Sequence, residues 1–144
     1  MRLPSHRDWA KAAKYLKGEW PLPVPPRTII GPENLSLLSS ESFASLVVRG
    51  KGADFFCIDT EYNQETRFLT LLGVGYPWGG SVHGFQVEWP RLPAWAKSEV
   101  TEIIRNLVKN VPVVFQNAIG AELPVLKKNL GIEYNDYLKV HDTM

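Results

Sequence analysis

The sequence predicts an α/β fold in which a five-stranded mixed sheet, three antiparallel strands followed by parallel ones, is flanked by helices. Three observations predict it. Residues 54–76 hold two apolar runs separated by a short polar turn, the pattern of an antiparallel hairpin. The turn Pro77-Trp78-Gly79-Gly80 leads into an alternating run at 81–87, which makes a meander of three strands. Helical and strand periodicity then alternate to residue 141, as they do where crossover helices join parallel strands.

Each element has its own signal. Residues 7–17 read as a short amphipathic helix, with Trp9, Ala12, Ala13 and Leu16 on one side and Arg7, Lys11 and Lys14 on the other. Pro21, Pro23, Pro25 and Pro26 forbid helix and favour an extended linker. The expected division is therefore an N-terminal helix within 1–20, a proline-rich linker with a brief extended piece over 21–35, and the main domain over 36–144. Residues 39–48 predict a helix capped by serine at its start and ended by Gly50-Lys51-Gly52. Phe55 to Ile58 are apolar on both faces, as in a strand buried on both sides, and Phe68 to Tyr76 form its hairpin partner. Val100, Ile103, Ile104, Leu107 and Val108 lie on one stripe of a helix over 95–109. Val111 to Phe115 predict a short buried strand. A helix over 121–130 follows, with Pro124 in its first turn and Gly131 stopping it, and residues 137–141 predict a last strand.

Composition narrows the function classes. With 144 residues, 44% hydrophobic and 22% charged, the chain suits one soluble domain with a single core. No apolar run reaches the ~18 residues of a membrane span, and residues 1–8 lack the apolar stretch of a signal peptide, so a cytoplasmic address without a membrane partner is expected. The single cysteine, Cys57, excludes an internal disulfide and a cysteine-based zinc site, and its apolar strand points to core packing. A net charge of +1 leaves any nucleic-acid binding to local patches and metals.

The chemistry centres on Asp59-Thr60-Glu61. Side chains alternate along a strand, so Asp59 and Glu61 share a face while Thr60 points the other way. Two neighbouring carboxylates disfavour joint ionisation unless a cation neutralises them, and oxygen ligands suit Mg²⁺ or Mn²⁺. Metal-assisted attack on a phosphodiester is the natural chemistry of such a pair, although the tripeptide also suits a plain solvated strand end. Residues 116–122 follow a strand expected to run parallel to the Asp59 strand, so both carboxyl ends should face one crevice. Glu122 could bring a third carboxylate there. His83 and His141 read as structural or exposed.

Phe56-Cys57-Ile58-Asp59-Thr60-Glu61, then Val113-Val114-Phe115-Gln116-Asn117-Ala118-Ile119-Gly120-Ala121-Glu122-Leu123-Pro124-Val125-Leu126, then Asp142-Thr143-Met144, resemble the DnaQ-like DEDD exonuclease superfamily. The likeness covers roughly residues 53–144 and is nearest to the proofreading 3′-5′ exonuclease domains of bacterial and bacteriophage DNA polymerases. It implies a ribonuclease H-like fold and two-metal hydrolysis releasing nucleoside 5′-monophosphates from the 3′ end of single-stranded or frayed DNA. By that resemblance Asp59 would bridge two metal ions, Mg²⁺ or Mn²⁺, and Glu61 and Glu122 would complete the ligands. Asn117 would order its loop and approach the substrate strand, and Thr60, with Leu72, would help shape the terminal nucleotide's pocket. Asp142 and Thr143 would be supportive and not ligands.

Two features depart from the family pattern. Ala121 and Glu122 stand where an aromatic residue and Asp are usual, and Glu122 also suits the positive end of a helix dipole. The third motif, a Tyr or His four residues before a last Asp, would lie beyond Met144. The resemblance therefore implies a fold truncated before its last helix, the N-terminal part of a longer or split enzyme, and a downstream polypeptide that supplies the missing acid. Two alternatives share these residues: a catalytically incomplete module that binds nucleic acid or a polymerase, and RNase D-like trimming of RNA 3′ ends.

Overall fold

The computed structural model describes residues 28–143, so the expected helix at 7–17 and the prolines of the linker lie outside the described residues. In chain order the elements are β1 (Thr28–Ile30), α1 (Glu41–Lys51), β2 (Phe56–Tyr62), β3 (Leu69–Trp78), β4 (Ser81–Glu88), α2 (Ala94–Asn110), β5 (Val113–Phe115), α3 (Leu123–Leu130) and β6 (Val140–Asp142). The sheet order is β1-β4-β3-β2-β5-β6. As the sequence predicts, β2, β3 and β4 form an antiparallel meander, β5 joins β2 in parallel, and β6 joins β5 in parallel.

The sheet has six strands where five were expected. The addition is β1, read from sequence as a brief extended piece, which pairs in parallel with Phe85–Val87. Three residues are too few to show alternation, but burial explains the pairing: Ile30 is fully buried beside Val87. α1 runs on through Gly50 instead of ending at 48. A Cβ at Gly50 would lie 3.1 Å from the Tyr76 ring, so the missing side chain lets the helix settle on the sheet while the helix-breaking tendency of glycine is overridden. Ser40 caps the helix, accepting a hydrogen bond from the Phe43 N–H at 3.2 Å. The last strand begins at Val140 and not at 137, because Tyr134–Asp136 close a 3₁₀ turn held by reciprocal bonds between Glu133 and Asp136.

Strand register sorts the sheet into two faces. Phe56, Ile58 and Thr60 lie beside Val74 and Leu72 of β3, and those beside Phe85 and Val87 of β4, all buried. The helices pack on this face: Phe43 of α1 meets Phe85 edge-on with ring centroids 5.2 Å apart, and the Tyr76 hydroxyl donates to the Leu46 carbonyl. Val100, Ile104, Leu107 and Val108 of α2 are buried in the same core, as their spacing requires. The opposite face of β2 carries Cys57, Asp59 and Glu61. Among the described residues no helix is long and apolar enough to cross a membrane.

Candidate active site

The carboxyl end of β2 is where the elements leave an opening. β5 is short and pairs only with Phe56 and Cys57, so from Ile58 onward the edge of β2 that faces β5 has no strand beside it. The chain leaving β5 turns back into that gap. Asn117 begins a π-helical turn over Ala118–Glu122, and its carbonyl accepts from both Ala121 N–H (3.1 Å) and Glu122 N–H (2.9 Å). Its side chain accepts from Gly120 N–H at 3.2 Å. Asn117 therefore orders this loop. Helical spacing over 121–130 predicted an α-helix from Ala121, whereas α3 starts at Leu123 and Glu122 closes the wider π turn. At the end of this turn Glu122 meets Thr60 of β2.

Glu122 is 1% exposed, and Thr60, fully buried, donates its hydroxyl to Glu122 Oε2 at 2.6 Å. Thr60 thus holds the carboxylate from the helix-covered face of β2. Burial pushes the Glu122 carboxyl up to about 7, hydrogen bonding from Thr60 opposes the shift, and the nearby Asp59 charge adds to it. Asp59 and Glu61 stand half-buried on the other face of β2, so the three acids flank the end of one strand. Among the described residues no three His, Cys, Asp or Glu side chains are gathered closely enough to hold a metal ion. By donor chemistry the three are oxygen-only and of like charge, with Asp59 near enough to Glu122 to raise it, which suits a hard divalent cation.

Backbone irregularity marks the same place. Glu61 pairs with Leu71 but Tyr62 pairs with Leu69, leaving Thr70 as a bulge directly after the acidic pair. Gly73 and Gly75 lie opposite Asp59 and Cys57, so no β3 side chain stands beside either. Burial, and secondarily Asp59, pushes the Cys57 thiol up to about 12, which keeps it protonated at neutral pH and agrees with a packing role. β6 anchors the loop from its far side: Ala118 N–H donates to Asp142 Oδ2 at 3.0 Å, and Thr143 N–H donates to the Phe115 carbonyl at 2.9 Å. The supportive place inferred for Asp142 and Thr143 corresponds to these bonds.

Sequence reasoning missed several contributors. Tyr137 stacks edge-on against Phe115 with centroids 6.0 Å apart, and its hydroxyl is buried without a hydrogen-bond partner. Its phenol is pushed well above the usual range by burial, then by Asp136 and Glu122. The β2–β3 turn is tied down by Asn129 of α3, which accepts from Leu69 N–H at 3.0 Å and donates to the Arg67 carbonyl at 2.9 Å. An asparagine on the polar side of a helix carries no sequence signal for such a role. The turn presents Phe68, 59% exposed, with Lys128 Nζ 4.8 Å from its ring, and Arg67 lies 5.3 Å over Tyr62.

The raised Glu122 carboxyl makes stability depend on pH. A carboxyl with a raised folded-state value binds its proton more tightly in the folded chain, so stability falls as pH rises from the ordinary glutamate value of 4.5 to about 7. In EDTA, the unfolding free energy from urea titration is expected to drop by on the order of 2 kcal/mol between pH 5 and pH 8 on this account. The Glu122→Gln variant should lose that component. Parallel pH profiles for the two proteins would remove Glu122 as its source.

A six-stranded mixed sheet of this order, with acids at the carboxyl end of a central strand, has the ribonuclease H-like fold of DEDD 3′-5′ exonuclease domains. Comparison with solved structures supports this. Escherichia coli RNase D, an exoribonuclease involved in structured RNA processing, superposes with a TM-score of 0.55 at 14% identity, over 83% of this chain and 28% of that one. The EXD2 exonuclease domain soaked in Mg gives 0.53 at 15% identity, over 82% of this chain and 56% of that one. The same domain soaked in Mn and Mg gives 0.52 at 14% identity, over 81% and 55%. The chain therefore spans between about a quarter and just over half of these solved chains. No family model and no curated protein sequence matches it.

Proposed function

We propose that this chain is a metal-dependent 3′-5′ exonuclease domain that hydrolyses phosphodiesters at single-stranded or frayed DNA 3′ ends, in the manner of a proofreading domain. The observation that carries the reading is that Asp59, Glu61 and Glu122 stand at the carboxyl end of β2, where β5 leaves the strand edge unpaired. Asp59, Glu61 and Glu122 would hold two divalent ions, Mg²⁺ or Mn²⁺. Bound there, such ions supply charge stabilisation to the attacking and leaving oxygens of an in-line displacement. The chain's own residues do the positioning. Thr60 fixes Glu122, while Asn117 and Asp142 hold the loop that carries it. A downstream polypeptide would contribute the remaining acid.

The hairpin turn beside Glu61 suits a single strand. Exposed Phe68 offers a face on which a base stacks, and Arg67 over Tyr62 and Lys128 beside Phe68 are the cations nearest for phosphates. Phe68→Ala is expected to raise KM for a single-stranded oligonucleotide roughly tenfold, with kcat changed far less. Steady-state kinetics on a 5′-labelled strand measures both, and an unchanged KM would take Phe68 out of the binding path.

One observation favours a second reading, a nucleic-acid-binding or polymerase-interaction module without catalysis: the three acids are not gathered into one metal-binding cluster among the described residues. Incubating 5′-labelled single-stranded DNA and RNA with the 144-residue chain, with Mg²⁺, Mn²⁺ or EDTA, separates the readings. A metal-dependent ladder shortening from the 3′ end supports the exonuclease. The more rapidly degraded strand decides between DNA and RNase D-like RNA trimming. Binding that persists in EDTA without cleavage selects the module.

A further inference from the structure

At the other end of the sheet from the acids, a cavity of about 240 Å³ opens between α1 and the β1–β4 pair. His83, on its wall, pairs with Tyr76, five residues along β3 from the Leu71 that faces Glu61, so at ~3.4 Å per residue the two places are ~17 Å apart along the sheet. Of its polar lining, Arg49 and Ser42 come from α1, Thr28 from β1 and His83 from β4, and among the described residues no carboxylate lines the cavity. Phe43 and Leu46 supply an apolar wall.

Arg49 is the unusual member. Its Nε is buried and makes no hydrogen bond, and among the described residues no ion pair includes it. A guanidinium carries five N–H donors and no acceptor, and the buried Nε–H left unmatched on half-exposed Arg49 costs free energy that an oxyanion would recover. Among the described residues no carboxylate pairs with it: the Tyr76 hydroxyl, which donates to the Leu46 carbonyl, accepts from the guanidinium, and His83 shares a 3.0 Å hydrogen bond with Ser81 Oγ while stacking on Tyr76 at 6.1 Å. The site thus combines a cation, an imidazole and two hydroxyls with an apolar wall, in a volume larger than a phosphate group alone fills.

We propose that this cavity binds a small phosphate monoester, its phosphoryl oxygens on Arg49, Ser42 and Thr28 and its apolar or aromatic part against Phe43 and Leu46. The site is separate from the acids at the end of β2, and its occupation requires neither metal nor hydrolysis. Isothermal titration of the 144-residue chain in EDTA with phenyl phosphate, inorganic phosphate and phenol tests it without reference to nuclease activity. Phenyl phosphate should bind saturably, at least ~tenfold more tightly than inorganic phosphate, and phenol should not bind measurably. Arg49→Gln should weaken phenyl phosphate at least ~tenfold, while Lys109→Gln, an exposed cation at the end of α2, should leave it unchanged. Should the Arg49 variant not fold, NMR of the unaltered protein decides: the Arg49 Nε–H and the amides of Thr28, Ser42 and Gly84 should move on titration. Absence of saturable binding, equal affinity for the two phosphates, indifference to Arg49→Gln, or shifts mapping to another surface would each overturn the assignment.

Discussion

Asp59→Asn is expected to abolish metal-dependent shortening of a labelled strand, by roughly a thousandfold or more, while the protein folds as before. The substitution keeps size and strand propensity, and Asp59 stands half-buried opposite Gly73, where an amide fits as well as a carboxylate. What it removes is charge. Asp59 is the acid that links the two sides of the strand end: it shares a face with Glu61, and its field contributes to raising Glu122. Losing it leaves Glu61 and Glu122 on opposite sides of β2 with no carboxylate between them. Labelled-strand digestion measures the activity, and circular dichroism with urea titration measures whether the variant folds. Cleavage within tenfold of the parent would take Asp59 out of the catalytic group, and a large loss of stability would make the activity result a folding effect.

Gly84→Ala is expected to have the largest effect on the fold, destabilising it by about 3 kcal/mol or more out of a total typically near 5–15 kcal/mol. A Cβ at this position would lie 2.1 Å from the Val74 carbonyl oxygen and 2.9 Å from the Gly75 Cα, both backbone atoms that no rotamer change can move. β4 would have to withdraw from β3, loosening the register that sets Gln86 against Gly73 and, one strand further, Gly73 against Asp59. Gly50→Ala provides the contrast: its nearest neighbour is the Tyr76 ring at 3.1 Å, a side chain able to give slightly. Its cost should be well below that of Gly84→Ala, and alanine's better helix propensity offsets part of it. Urea titration of both variants compares them; a cost for Gly84→Ala under 1 kcal/mol would show that the strands do not approach so closely at this point.

The elements most legible in the sequence were those whose signal is local. The stripe Val100, Ile104, Leu107 and Val108 marked α2 because one helical face repeats within a few residues, and the two apolar runs around 63–67 marked the β2–β3 hairpin because so short a turn permits little else. Alternation alone put Asp59 and Glu61 on one face of β2 and Thr60 on the other. Short elements were less legible: β1 read only as a brief extended piece and β6 was expected from 137 but begins at Val140, since both are three residues long and defined by the partner strand beside them and not by a period of their own.

By itself, then, the sequence determined the order of strands and helices, the parallel return of β5 beside β2, and the arrival of Asp59, Glu61 and Glu122 at one end of the sheet. Only the tertiary structure decided how they meet there. Glu122, on a π turn, meets β2 where β5 is too short to cover the edge, and Thr60 and Asp142 become its supports through contacts 62 and 24 residues apart in the chain. The same holds for the Arg49 cavity, whose walls come from β1, α1, β4 and the 3₁₀ turn Leu35–Ser39. Periodicity reports which way a side chain faces along its own element; it does not report which distant group stands opposite, since that depends on where other strands stop.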